Sequence, residues 1–134
     1  MSLVLINQGE ADWLSMVVNK GTPENLVLRL FKSNTTPSET DTEATYTEAD
    51  FTGYSAASLT GASWTVTPGA PSEASYAQQV FTSSANQTQQ DIYGYCLTQS
   101  TSGRAQWAER FPAAPYPIAN NGDNIGVTPK ITLD

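Results

Sequence analysis

Carboxylates are the most abundant side chains with chemistry to offer. Thirteen Asp and Glu stand against six Lys and Arg, with no His in 134 residues. Without His, neither a Ser-His-Asp nor a Cys-His arrangement can form, and histidine metal sites are excluded. Cys96 is the single thiol, so an internal disulfide and a Cys-based zinc site are out. It sits between Tyr95 and Leu97 in a β-like run, which predicts a buried, inert thiol. A glycosidase needs two carboxylates at a fixed separation, one with a raised pKa. Here the acids crowd into a stretch without bases and with Tyr46 as its single aromatic, too little to shape a pocket. Glu39-Thr40-Asp41-Thr42-Glu43 puts hard oxygens at alternate positions, as a calcium site would, but lacks the EF-hand glycine and closing Glu. A solvated loop is the simpler reading, and no cofactor or metal is expected.

The charge has a definite place. No Lys or Arg lies between Lys32 and Arg104, whereas seven acids do, and five of those fall in Ser38–Asp50. The net charge of −7 therefore belongs to the middle of the chain. Such a run self-repels and resists packing, so residues 38–50 are predicted to be a long acidic surface loop. An acidic surface repels phosphate backbones and anionic lipid, so neither nucleic acid nor membrane is an expected partner. No apolar stretch approaches the roughly 18 residues of a membrane span. The opening Met1–Ile6 is too short and uncharged to read as a signal peptide.

The elements that must position these residues read as one domain over 1–134. Asn7-Gln8-Gly9-Glu10 fits a capped helix start, and Ala11, Leu14, Val17 and Val18 recur at helical spacing. This predicts a helix from Gln8 to Asn19 with that stripe facing the core, and Gly9 as its weak point. Residues 1–6 read as an extended arm or short strand. From Asn25 the period becomes two. Strands are predicted at Asn25–Lys32, Tyr54–Leu59, around Trp64–Val66, Ser75–Thr82, Asp91–Gln99, Arg104–Phe111 and across Ile125–Leu133. Pro112, Pro115 and Pro117 are expected to stop any ladder, and Pro129 marks the last run as an edge. About eight strands at this spacing predict a mainly β fold: an antiparallel β-sandwich or small barrel with one N-terminal helix.

The aromatics Trp64, Trp107, Tyr76, Tyr93, Tyr95 and Tyr116 could line a sugar-binding face, but most fall at core-facing strand positions, where packing is the simpler role. Trp13 flanks the helical stripe and is a candidate to face a partner. Asn34-Thr35-Thr36 and Asn86-Gln87-Thr88 match the glycosylation triplet, which a Thr-rich chain produces by chance.

Several stretches together resemble small virion proteins of tailed bacteriophages. They are Thr22-Pro23-Glu24-Asn25-Leu26-Val27-Leu28-Arg29-Leu30-Phe31, Gly53-Tyr54, Leu59-Thr60-Gly61-Ala62-Ser63-Trp64 and Ile92-Tyr93-Gly94-Tyr95. Trp107-Ala108-Glu109-Arg110-Phe111 and the stretch from Asn121-Gly122-Asp123 through Val127-Thr128-Pro129-Lys130-Ile131 complete the likeness, which spans most of the chain in order. None of these motifs carries a mechanism. The resemblance implies a non-enzymatic virion component: first a capsid decoration (cement) protein bound to the major capsid protein and to copies of itself, second a tail or adhesion component that binds carbohydrate. A carboxylate glycosidase is the remote alternative.

Attachment is expected outside the paired strands. Leu3, Val4, Leu5 and Ile6 form an unbroken apolar run whose exposure would be costly in a monomer. That run and Trp13 are the expected partner-binding residues, with Glu39, Asp41 and Glu43 steering association as screened charges. Removing residues 2–6 is expected to weaken binding and leave the domain folded.

Overall fold

The computed structural model describes residues 3–134. Met1 and Ser2, the start of the expected arm, lie outside the described residues. The chain forms a layered, antiparallel β structure with one α-helix and no closed barrel among the described residues.

The first layer is a five-stranded sheet in the order β1-β9-β8-β2-β3. Its strands are β1 (Val4–Leu5), β2 (Leu26–Phe31), β3 (Ala57–Leu59), β8 (Gly94–Gln99) and β9 (Ala105–Arg110). The second layer is three small sheets. β4 (Thr65–Thr67), β5 (Ser72–Ser75) and β12 (Lys130–Leu133) form one, β6 (Gln79–Thr82) and β11 (Asn124–Val127) another, and β7 (Gln90–Ile92) and β10 (Tyr116–Ile118) the third. Leu28, Leu30, Leu97 and Trp107 of the first layer pack against Phe81, Ile92, Ile118, Ile125 and Val127 of the second. Phe31, Cys96, Ala105 and Ala108 form a smaller core on the other face of the main sheet, with Ile6 and Tyr46.

The described residues hold twelve strands where about eight are expected, because Asp91–Gln99 and Ile125–Leu133 are each two, β5 precedes the expected Ser75–Thr82, and β10 is additional. β5 pairs with β4 and β12, but β6 pairs with β11; β7 pairs with β10, but β8 pairs with β2 and β9; β11 pairs with β6, but β12 pairs with β5. Each long run leaves one sheet and enters another, which is how sandwich corners are made. β10 also corrects the expectation that the prolines end all pairing: Pro117 stands opposite Asp91 in a two-stranded ladder. Both strands of such a ladder are edges, where a missing N–H is tolerated.

The helix α1 spans Asn7–Val17 and differs from expectation in its cap and its orientation. Ile6 occupies the cap position without a side-chain bond, so Asn7 is the first helical residue and not the cap. The Asn7 N–H instead donates to the Glu39 carbonyl at 2.9 Å. At the other end Asn19 takes the left-handed conformation that glycine usually supplies, and the N–H groups of Lys20 and Gly21 both reach the Ser15 carbonyl.

The apolar stripe faces outward. Leu14, Val17 and Val18 are 67%, 82% and 68% exposed, and Ala11 is exposed beside them. The inner face is Gly9, Asp12, Trp13 and Met16, also at helical spacing. Asp12 accepts from Arg104 Nε and Gln106 Nε2, both at 2.9 Å, and Trp13 meets Trp107 edge-on at 5.4 Å. Hydrogen bonds and close approach, not an apolar stripe, hold this helix on β9.

Gly9 makes that approach feasible. A Cβ there would lie 2.4 Å from the Gln106 carbonyl oxygen. Gly9→Ala would gain about 1 kcal/mol in helix propensity, but a backbone cannot yield as a side chain can, and overpacking costs about 1–3 kcal/mol or more. We expect Gly9→Ala to lower the stability measured by urea unfolding, although it is the better helix former.

Candidate binding site

Two cavities lie side by side where α1, β9 and the small sheet containing β12 converge. One has a volume of about 260 Å³ and is lined by Trp13, Trp64 and Trp107, every tryptophan in the chain, together with Met16, Leu59 and Ile131. The other, of about 430 Å³, shares Trp13, Trp107 and Ile131 with it and adds Leu3, Leu5, Tyr95, Glu109 and β12. They form one groove with an apolar half and a half that carries a carboxylate.

β-sheet alternation brings these side chains together. Tyr95 and Leu97 on β8 point to the same face as Trp107 and Glu109 on β9, with Tyr95 opposite Glu109 and Leu97 opposite Trp107. The Tyr95 hydroxyl donates to Glu109 at 2.7 Å. Burial, and then the Glu109 carboxylate, push the Tyr95 phenol well above its ordinary pKa. The ion pairs among the described residues are Arg29–Glu48, Lys32–Asp50, Arg104–Asp12 and Lys130–Glu73, so Glu109 has no cation among them.

Trp107 is 2% exposed, and its indole N–H has no acceptor. It is the one fully buried side-chain polar atom without a partner among the described residues. An unsatisfied donor of this kind costs about 1–3 kcal/mol.

The structure divides the expected partner-binding residues. Leu3, Leu5 and Trp13 come together in the groove. Val4 is half-buried, and Ile6 is fully buried in the smaller core with its N–H on the Gln106 carbonyl at 3.0 Å. The apolar arm is thus paired and packed, not left over for a partner, and Ile6 is withdrawn from any docking surface. Trp13 likewise uses its ring on Trp107. Losing residues 3–6 would open the core, contrary to the expectation that the domain survives. Ile6→Ala should cost about 2–5 kcal/mol in chemical denaturation, as large-to-small core substitutions do.

Glu39, Asp41 and Glu43 lie away from the groove, in the stretch that crosses the opposite face of the main sheet. This stretch is not the loose loop expected. Glu39 and Glu43 are exposed, yet Asp41 accepts from the Tyr46 hydroxyl at 2.7 Å, and Glu43 accepts from Gln8 Nε2 at 2.8 Å. Glu48 accepts from Arg29 and from the Tyr54 hydroxyl, while Tyr46 and Ala49 are buried. Partners for the charges and two buried apolar anchors outweigh the self-repulsion. No three Cys, Asp or Glu of the described residues converge into a metal-holding group, and the carboxylates of Glu39, Asp41 and Glu43 are no exception.

The remaining aromatics are used in packing: Trp64 on Tyr76 at 5.2 Å, Phe111 on Tyr116 at 5.3 Å, and Tyr93 under the Arg110 guanidinium at 5.1 Å. Sequence reasoning missed the Trp107–Glu109 pair because the partner elements, α1 and β12, are far from it in sequence. The alternation of β9 did place both on one face.

Burial pushes the Cys96 thiol up to about 12, and burial also raises the Tyr46 and Tyr54 phenols. These groups stay protonated in the fold after they would ionise in the unfolded chain, so their stabilising effect is full below the unfolded values and declines as pH rises through them. For Asp12, burial opposes ionisation, but the bonds from Arg104 and Gln106 outweigh it and lower the pKa. The Gln8 bond lowers Glu43 first of all. Their contribution is present above the unfolded carboxylate range and falls as pH drops through it. Urea midpoints should therefore be flat near neutrality, fall above about pH 9 and fall below about pH 4. At pH 8 a thiol reagent should label Cys96 far more slowly in the native protein than in denaturant.

Among the described residues no helix is long and apolar enough to cross a membrane. In comparisons with known proteins, no family model, no curated protein and no solved structure matches the chain.

Proposed function

We propose that this protein is a non-enzymatic structural component of a tailed-bacteriophage virion, a decoration protein that binds and braces the assembled capsid. The observation that carries the attachment is the outward apolar face of α1. Leu14, Val17 and Val18 stand in solvent on an element whose other face is fixed to β9 by the Asp12 bonds and the Gly9 contact. An apolar stripe held rigidly outward is suited to burial against another subunit. The phage assignment rests on the sequence resemblance. Its partners would be the major capsid protein and copies of itself, and its location the virion.

Glu39, Glu43 and Asp50 stay exposed on the tethered acidic stretch and would steer the approach to a basic shell surface. A shell protein of this kind acts by mass action, stabilising the assembled state it binds over the free subunits. A tail component is the second reading, and copy number separates the two. Mass spectrometry of purified virions should find hundreds of copies for a capsid role, and a dozen or fewer for a tail role. Fully burying one Leu or Val side chain is worth about 1.5–3 kcal/mol. Leu14→Asp and Val18→Asp should each weaken rebinding to stripped virions at least tenfold with an unchanged circular dichroism spectrum. Full retention of both variants would remove α1 from the interface.

A further inference from the structure

The groove beside Trp107 is bounded by two strand edges that nothing among the described residues pairs. β1 pairs only with β9, and β12 only with β5. Backbone hydrogen bonds set which groups point into the opening. The Tyr76 N–H bonds to the Pro129 carbonyl at 2.9 Å, and the register continues as Lys130 opposite Ser75 and Ile131 opposite Ala74. Bonded and non-bonded pairs alternate in an antiparallel ladder, so Ile131 and Leu133 bond to β5 while Lys130 and Thr132 turn their N–H and C=O away from it. On the other side, the Ile6 N–H bonds to Gln106, and Leu5 lies opposite Trp107 in the non-bonded position, with its backbone groups turned outward. Residues 130–133 all line the cavity in succession, which is how a strand borders a space with its edge and not with one face.

Three unmet requirements meet in this space. The edges of β1 and β12 carry free backbone donors and acceptors. An apolar slot lies open beside Trp107, unfilled by the described residues. Glu109 lies two residues along β9 on the same face, a spacing of about 6.8 Å, and has no cation among the described residues. An extended peptide meets all three at once: its backbone pairs with the open edge, an apolar side chain enters the slot, and a basic side chain two positions away reaches the carboxylate.

We propose that this groove receives an extended segment of a different polypeptide, which adds as a strand to β12, sets a large apolar side chain beside Trp107 and places a Lys or Arg on Glu109. Charge favours a different polypeptide over a second copy. This chain is net −7; of its six cations, Arg29, Lys32, Arg104 and Lys130 are paired with carboxylates, and Arg110 lies over the Tyr93 ring and donates to the Thr35 carbonyl. Val18-Asn19-Lys20 has the right spacing but is bent by the left-handed Asn19 and is not extended. The groove is apart from the outer face of α1, so the inference stands whether or not that face binds a capsid.

The test uses the full chain and acetylated, amidated ten-residue peptides of alternating Thr and Val. Each carries a central Leu, Phe or Ala, with Lys two positions on. Intrinsic fluorescence reports binding, since every tryptophan lines the slot. The Leu and Phe peptides should bind saturably, at least tenfold tighter than the Ala peptide. Thr132→Pro removes an N–H that faces the opening and none that bonds to β5; it should weaken binding at least tenfold while circular dichroism is unchanged. Should that variant not fold, Glu109→Gln serves: it should erase the preference for Lys over Glu in the peptide. The proposal is overturned if neither the Leu nor the Phe peptide binds at millimolar concentration. It is also overturned if Glu109→Gln keeps the Lys preference, or if the protein self-associates through this groove.

Discussion

The carbonyl of Gln106 is the point on which the N-terminal arm and α1 are fastened. It accepts the Ile6 N–H, and Gly9 packs against it so closely that a methyl group would clash. The neighbouring side chains complete the attachment, with Arg104 and Gln106 both on Asp12 and Gln8 on the Ala105 carbonyl. Once α1 is seated there, Trp13 falls on Trp107, Ile6 closes the smaller core, and the stripe of Leu14, Val17 and Val18 has nowhere to go but outward. A backbone-to-backbone contact of this sort is stiff, because neither partner has a rotamer to change.

The same fastening connects the two faces of the main sheet. The Glu39 carbonyl caps the first helical N–H, and Glu43 reaches Gln8, so the acidic stretch and the helix brace each other. Arg29, Glu48 and Tyr54 then clamp the far end of that stretch to β2, with the Tyr54 hydroxyl accepting from the Leu30 N–H. Exposed ion pairs are individually weak, but these join hydrogen bonds around two buried residues, Tyr46 and Ala49. A run of five acids thereby becomes an ordered strap and still leaves carboxylates at the surface.

A sandwich made of one broad sheet and three small ones also leaves seams. Where the second layer breaks between sheets, strand edges face open space, and the groove beside β12 is such a seam. Proteins usually blunt or cover exposed edges, since an unpaired edge is a template for another chain. Here one edge carries Lys130 and the exposed Thr132, polar residues of the kind that discourage unwanted pairing, while the wall behind it is aromatic and holds an unmet donor.

Periodicity of two from Asn25 onward, the turn clusters and the short run of 3.6 periodicity at the N-terminus were enough to read a mainly β, antiparallel fold with one helix. They also placed Cys96 in the core, because local alternation reports burial wherever a strand has two covered faces. What local pattern could not report was contact between distant segments. The stripe Ala11-Leu14-Val17-Val18 predicts the wrong face of α1, since the winning face is held by a glycine contact and polar bonds that a hydrophobicity pattern does not register. Leu3–Ile6 reads equally as an extended arm or a short strand until its pairing with β9 is known, and Asp91–Gln99 and Ile125–Leu133 read as unbroken strands although each changes sheet. Hydrophobic spacing records what a residue needs, namely removal from water, whereas the three-dimensional fold selects which distant backbone supplies it.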